Sequence, residues 1–193
     1  AALNAIAAAV SQSLDLKEVL DAALEETLAV LNVEGGLIYL LDETSQTFAP
    51  AVHRGISQDV LREVTGLKMG EGLSGWVAES GEALVMADLS ADPRNISPTA
   101  IREGLRSYAG VPIKARGKVL GVMTLVTRQE GHFKPDHLDL LSHIGNQIGV
   151  AIENARLHEQ ELSMAALAER NLVAKQIHDD MAQTLTYLGL KVD

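Results

Sequence analysis

Three side chains near the end of the chain have the types and spacing for phosphoryl chemistry: His178, Asp179 and Gln183. A neutral imidazole, with a pKa of about 6.5, is a competent nucleophile near neutrality. A carboxylate beside it can orient the ring and take its proton. A carboxamide one helical turn further on can position a water for the reverse, hydrolytic step. The same residues also suit an ordinary solvated histidine on an amphipathic helix, since short motifs recur by chance.

The stretch that carries them, residues 169–190, holds no proline and a single glycine, Gly189, so one helix is expected. Val173, Ile177, Met181, Thr184 or Leu185, and Leu188 fall at three- and four-residue steps, a stripe that a partner helix must cover. His178 follows Ile177 and is turned about 100° from that seam, at its flank and open to solvent. Upstream, Phe133-Lys134-Pro135-Asp136 caps a helix whose inner stripe is Leu138, Leu141, Ile144, Ile148, Ala151, Ile152 and Ala155. No breaker separates the two stripes. Residues 136–193 can form one nearly continuous helix, which no globular fold covers alone, so a parallel homodimer is expected.

The 193 residues suit one medium domain plus an extension, and a 47% hydrophobic content is enough for a full core. A net charge of −10 argues against nucleic acid as a partner, because no basic stripe exists to neutralise phosphates. The chain has no cysteine, which excludes a disulfide framework, iron–sulfur or thiolate zinc sites and a thioether-linked chromophore. No metal site is expected. No apolar run approaches the roughly 18 residues needed to span a bilayer, and the start lacks a signal-peptide pattern. The segment reads as cytoplasmic, without membrane contact of its own, and as cut at both ends from a longer protein.

In chain order, residues 1–10 are alanine-rich with Leu3, Ile6 and Val10 at helical spacing. Asp15 is a candidate N-cap for a helix over 16–31. Strands are expected at 37–41 and 47–54, a helix at 57–64, a glycine-dense turn at 69–75 and a short helix at 76–80 that stops at Gly81. A strand at 83–86 precedes a long loop with a short helix over 88–103, and loops of that length tend to be functional. Strands at 107–114 and 118–127 form a hairpin. The order predicts an α+β fold with an antiparallel sheet.

Five segments in order resemble the GAF domains: Leu16-Lys17-Glu18-Val19-Leu20, Gly70-Glu71-Gly72-Leu73-Ser74-Gly75-Trp76-Val77, Ser107-Tyr108-Ala109-Gly110-Val111-Pro112-Ile113, Val119-Leu120-Gly121-Val122-Met123-Thr124-Leu125, and Ala151-Ile152-Glu153-Asn154-Ala155-Arg156-Leu157. The resemblance implies a central antiparallel sheet with flanking helices, followed here by a long C-terminal dimerisation helix, and a pocket roofed by residues 88–103. The run His178-Asp179-Asp180-Met181-Ala182-Gln183 is similar to the His-Asp-x-x-x-Gln signature of sensor histidine kinases that include the nitrate and nitrite sensors. Glu169-Arg170 and Val173-Ala174 match that family's lead-in, while Leu172 and Lys175-Gln176 depart from it. This resemblance makes His178 the phosphoacceptor, Asp179 its acid/base partner and Gln183 the phosphatase residue.

Domain limits follow as 1–13 for a lead-in helix, 14–158 for the GAF sensor, and 159–193 for a connecting helix and the start of the dimerisation and phosphoacceptor domain. The chain lacks a glycine-rich nucleotide lid and an ATP box, so ATP and Mg would be bound by a kinase domain elsewhere in the longer protein, and a response regulator would receive the phosphoryl group. For the pocket, Trp76, Arg94 and Tyr108 are the candidate ligand contacts, with Arg106 a further cation. Haem or a small ligand are both open, with His53, His132, His137 and His143 as axial candidates for haem. Two other readings stand beside the kinase: a GAF module that binds a small molecule and merely dimerises, and a GAF-containing transcription activator.

Overall fold

A computed structural model describes residues 15–42, 44–187 and 189, without the side chains of 179 and 182–187. The lead-in helix expected over 1–13 lies outside the described residues. The chain divides into two compact units, with the boundary between Glu153 and Asn154.

Among the described residues the first unit opens with helix α1, Leu16–Leu31, capped by the Asp15 carboxylate, which accepts from the backbone N–H of Lys17 at 2.8 Å. It ends at Asn32, whose left-handed backbone (φ 52°) closes the helix. Strands β1 (Gly35–Asp42) and β2 (Thr47–Arg54) form an antiparallel pair. Short helices α2 (Gln58–Glu63) and α3 (Gly72–Ser80) follow, then β3 (Leu84–Met86), a single 3₁₀ turn (Leu89–Ala91) and α4 (Pro98–Arg102). Strands β4 (Ser107–Ala115) and β5 (Lys118–Thr127) precede the long α5, His137–Tyr187. The sheet is antiparallel throughout, in the order β2-β1-β5-β4-β3. This is the expected α+β architecture.

Alternation along the strands assigns the two faces. Ile38, Ala109, Val111, Ile113, Met123 and Leu125 pack with Leu20, Ala23 and Leu24 of α1 and with Leu141, Ile144, Ile148 and Ile152 of α5. The residues between them, among them Leu37, Tyr39, Tyr108, Val122, Thr124 and Val126, face the opposite way, toward α2, α3, α4 and the loop before α4.

Two glycines seat α5 on the sheet. A Cβ on Gly145 would stand 2.5 Å from the carbonyl oxygen of Pro112, and one on Gly149 would stand 1.9 Å from that of Lys114. β3 pairs only with residues 108–110 of β4, so Pro112 sits where no neighbouring strand asks for its absent N–H. The β4–β5 turn is two residues long, Arg116 (φ 49°) and Gly117 (φ 78°), the pair of left-handed conformations that matches strand twist; the expected loop had also included Ala115, which pairs with Lys118.

α3 starts four residues earlier than expected. The second half of the glycine-dense segment forms its first turn, and within it Gly75 lies where a Cβ would come within 2.4 Å of the Lys68 carbonyl oxygen. Glycine is required there by a close backbone approach rather than by a turn.

Candidate functional site

Between the outward face of the sheet and its short helices lies a cavity of ≈ 60 Å³. Leu37 and Tyr39 of β1, Thr124 and Val126 of β5 and Tyr108 of β4 make its floor, and Leu73 and Ser74 come from α3. Ile56, Val60, Val64 and Leu67 close one side, while Leu89, Asn95, Ile96, Ser97, Ala100 and Leu105 come from residues 88–105. Its lining holds no charged side chain among the described residues.

Apart from the Asn95 carboxamide, its polar side chains are all hydroxyls. Ser74 Oγ lies 3.1 Å from Thr124 Oγ1 and 3.4 Å from the Tyr108 hydroxyl, and Ser74 also bonds the Tyr39 hydroxyl. Burial pushes both phenols well above the ordinary tyrosine value, with the neighbouring Tyr108 adding to the effect on Tyr39; the bonds to Ser74 and Thr124 oppose it. The cluster is therefore neutral at any physiological pH. Gly110 leaves the space that the Tyr108 ring occupies, since a Cβ there would meet the Tyr108 hydroxyl at 2.5 Å.

A latch of hydrogen bonds holds the roof. The Glu63 carboxylate at the end of α2 accepts from Ser97 Oγ at 2.6 Å, from the Thr99 backbone N–H at 3.2 Å and from Thr99 Oγ1, tying α2 to the start of α4. Those hydroxyl bonds hold its pKa below the ordinary carboxylate value. At the other end of each helix, Ser57 Oγ donates to Glu103 Oε1 at 2.6 Å.

Of the candidate ligand contacts, Tyr108 lines the cavity and Trp76 and Arg94 do not. Arg94 instead stacks on the Trp76 ring, 4.9 Å from its centroid, and binds both oxygens of Asp92, with Nη2 2.6 Å from Oδ2. That bond keeps Asp92 ionised below its ordinary range and raises Arg94. Arg106 faces Asp88. None of His53, His132, His137 and His143 lines the cavity. His132 Nε2 is 2.9 Å from the Leu31 carbonyl oxygen and so closes the end of α1, His137 Nδ1 accepts from the Lys134 N–H, and His143 is exposed on α5. Among the described residues no group of three His, Asp or Glu side chains is placed to hold a metal. Apart from Tyr108, the hydroxyl cluster and the Glu63 latch were not among the residues expected from the sequence. Their members are 34 to 50 residues apart, and a single sequence carries no signal for such pairs.

The second unit, residues 154–193, contains the rest of α5. Leu162, Leu167, Val173, Ile177 and Met181 are exposed on it, Ile177 by 55%. His178 is exposed on the same helix. The backbone of Asp179 and Gln183 is helical, but both side chains lie outside the described residues. No helix among the described residues is long and apolar enough to cross a membrane.

Residues 13–153 match the family model described as a GAF domain. The chain is 29% identical over 199 aligned residues to the sensor histidine kinase YhcY of Bacillus subtilis, covering 97% of this chain and 51% of that protein. It is 32% identical over 154 residues to a Nif-specific regulatory protein of Azospirillum brasilense, covering 76% of this chain and 24% of the relative. The chain thus spans about half or less of these relatives. Among solved structures, the GAF domain of an Acinetobacter phosphoenolpyruvate-protein phosphotransferase superposes with a TM-score of 0.69 at 26% identity, over 81% of this chain and 93% of that one.

Proposed function

The chain belongs to the GAF domain family, and from that premise we propose that it is the sensory and phosphoacceptor portion of a two-component histidine kinase of the His-Asp-x-x-x-Gln group, the group that includes the nitrate and nitrite sensors. The supporting observation is the reach of the kinase match: at 97% of this chain it runs past the GAF domain into the exposed helix that carries His178. The regulator match, at 76%, favours the second reading, a GAF module without a kinase role.

In the kinase reading, residues 14–158 bind a small ligand, and residues 159–193 connect it to the phosphoacceptor. Two copies pair in parallel along the exposed seam of Val173, Ile177 and Met181, which in water needs cover. That leaves His178 at the flank, accessible to a kinase domain that supplies ATP and Mg. An imidazole nitrogen attacks the γ-phosphorus, the bond to ADP breaks, and Asp179 takes the ring proton. The phosphoryl group then passes to a response regulator in the cytoplasm, and Gln183 orients the water that reverses the signal. The longer protein is the enzyme, and this chain contributes the acceptor. Supplying an ATP-binding domain tests the reading: acid-labile, base-stable phosphate on this chain is expected, and its absence leaves the binding module.

A further inference from the structure

We infer that the cavity of the GAF domain selects a small uncharged molecule, about four to six non-hydrogen atoms in size, apolar over most of its surface and carrying one hydroxyl or amide hydrogen-bond donor. The inference rests on the reading that this cavity is the input site of the sensor.

Size is the first argument. The ≈ 60 Å³ of the cavity is roughly four to six times the ~10–15 Å³ that admits one water, and less than half the ~150 Å³ of an apolar cavity that takes benzene. A cyclic nucleotide or a haem does not fit such a space. The roof that sets the volume is latched from both ends, by Glu63 on Ser97 and Thr99 and by Ser57 on Glu103.

Charge is the second. Among the described residues no charged side chain lines the cavity, and the nearby guanidinium of Arg94 is committed to Asp92 and to the Trp76 ring. An anion entering would lose its hydration without a counter-charge, and a cation would meet phenols rather than carboxylates. Burial holds Tyr39 and Tyr108 protonated, so the site acquires no charge of its own.

Hydrogen bonding fixes the polar end. Each hydroxyl of Tyr39, Ser74, Tyr108 and Thr124 brings one proton and two lone pairs, and the contacts of Ser74 with the other three and of Tyr108 with Thr124 use every proton while leaving lone pairs over. The cluster has acceptor capacity to spare, which an O–H or N–H of the ligand meets, while the rest of the ligand lies against Leu73, Val126 and their neighbours.

The test is a titration of the ¹⁵N-labelled chain with butan-1-ol, its anionic counterpart butanoate, cyclic GMP and xenon, followed by amide shifts. Butan-1-ol is expected to shift Ser74, Tyr108 and Thr124 saturably and butanoate to leave them unmoved. Ser74→Ala should weaken the alcohol about 2- to 10-fold, the worth of one net hydrogen bond. Ala100→Leu, which fills the cavity, should abolish binding, with Val126→Phe as a second filling variant should the first fail to fold. Saturable shifts of the cavity residues by butanoate or cyclic GMP that exceed those of the alcohol would overturn the ligand class and leave the sensor reading in place. Shifts by none of the four probes would remove the cavity as an input site, and the sensor reading with it.

Discussion

Ser74 Oγ lies 3.1 Å from Thr124 Oγ1, so helix α3 and central strand β5 meet through hydroxyls in the lining of a largely apolar cavity. Both side chains are buried. Replacing one leaves its partner short of a bond, whereas replacing both removes that mutual need and leaves only the Tyr39 and Tyr108 hydroxyls short of theirs. Thr124→Val should cost about 1–3 kcal/mol, and adding Ser74→Ala should cost less than the sum of the two single changes. Urea denaturation of the two single variants and the double variant measures this. Strict additivity would mean that the two hydroxyls do not support each other.

Gly149 reverses the usual rule for helices. In an exposed helix interior, glycine to alanine gains about 1 kcal/mol. Here the new methyl would stand 1.9 Å from the Lys114 carbonyl oxygen, so α5 must move off β4. Gly149→Ala is expected to destabilise by about 1–3 kcal/mol, the usual cost of overpacking. Thermal denaturation decides the sign.

The Glu63 latch makes part of the stability acid-labile. Glu63 is held below its ordinary value of 4.5 in the folded chain, chiefly by the Ser97 and Thr99 hydroxyls. Its contribution is therefore complete above 4.5 and fades as the pH falls through the lower folded value. Glu63→Gln should be less stable than the original at pH 7, and the gap should narrow toward pH 3. Asp42 and Asp88, through backbone N–H bonds, and Asp92, through Arg94, are also held low, so both proteins should still lose stability in acid. A constant gap between them across that range would show that Glu63 is not the latch.

The only tryptophan of the chain is Trp76, which makes its fluorescence a local probe of the Arg94 stack. Arg94→Ala should alter the emission and cost about 0.5–1 kcal/mol, as expected for a cation–π contact that is partly exposed. By the cavity's lining, the same change should leave alcohol binding unaffected.

Much of this fold could be read from residue spacing. The strands alternate or run apolar, Asp15 caps α1, and the apolar stripe of α5 predicts Leu141, Ile144, Ile148 and Ile152 in the core. Spacing failed where tertiary contact overrode local preference. Gly72 and Gly75 read as a turn but stand in α3: Gly72 takes a left-handed backbone (φ 65°) at the helix start, and at Gly75 the Lys68 carbonyl approaches too closely for a side chain. In the site, Tyr108 was legible as a candidate ligand contact. Trp76 and Arg94 were legible as residues able to bind a ligand, but they bind each other. Ser74, Thr124 and Glu63 carry no local signal, since their partners are set by the packing of distant segments.

Gln183 and Asp179 are expected to separate the two directions of phosphoryl flow. A positioned acid/base group is typically worth about 100- to 10,000-fold, so Asp179→Ala should lose autokinase activity to that extent. A carboxamide has no acid/base capacity, and Gln183→Ala should keep autokinase activity while losing most phosphatase activity toward the regulator. Rates of both reactions in both variants of the full-length protein check this, and equal loss of both activities in Gln183→Ala would assign that residue a structural role.

The most direct test of the kinase reading is the site of phosphorylation itself. The full-length protein, or this chain with an ATP-binding domain supplied, is incubated with labelled ATP and the modified residue is mapped. One acid-labile, base-stable phosphate is expected on His178, which His178→Ala abolishes while the GAF domain keeps its thermal stability. Label that survives in His178→Ala, or that maps to another residue, would contradict it.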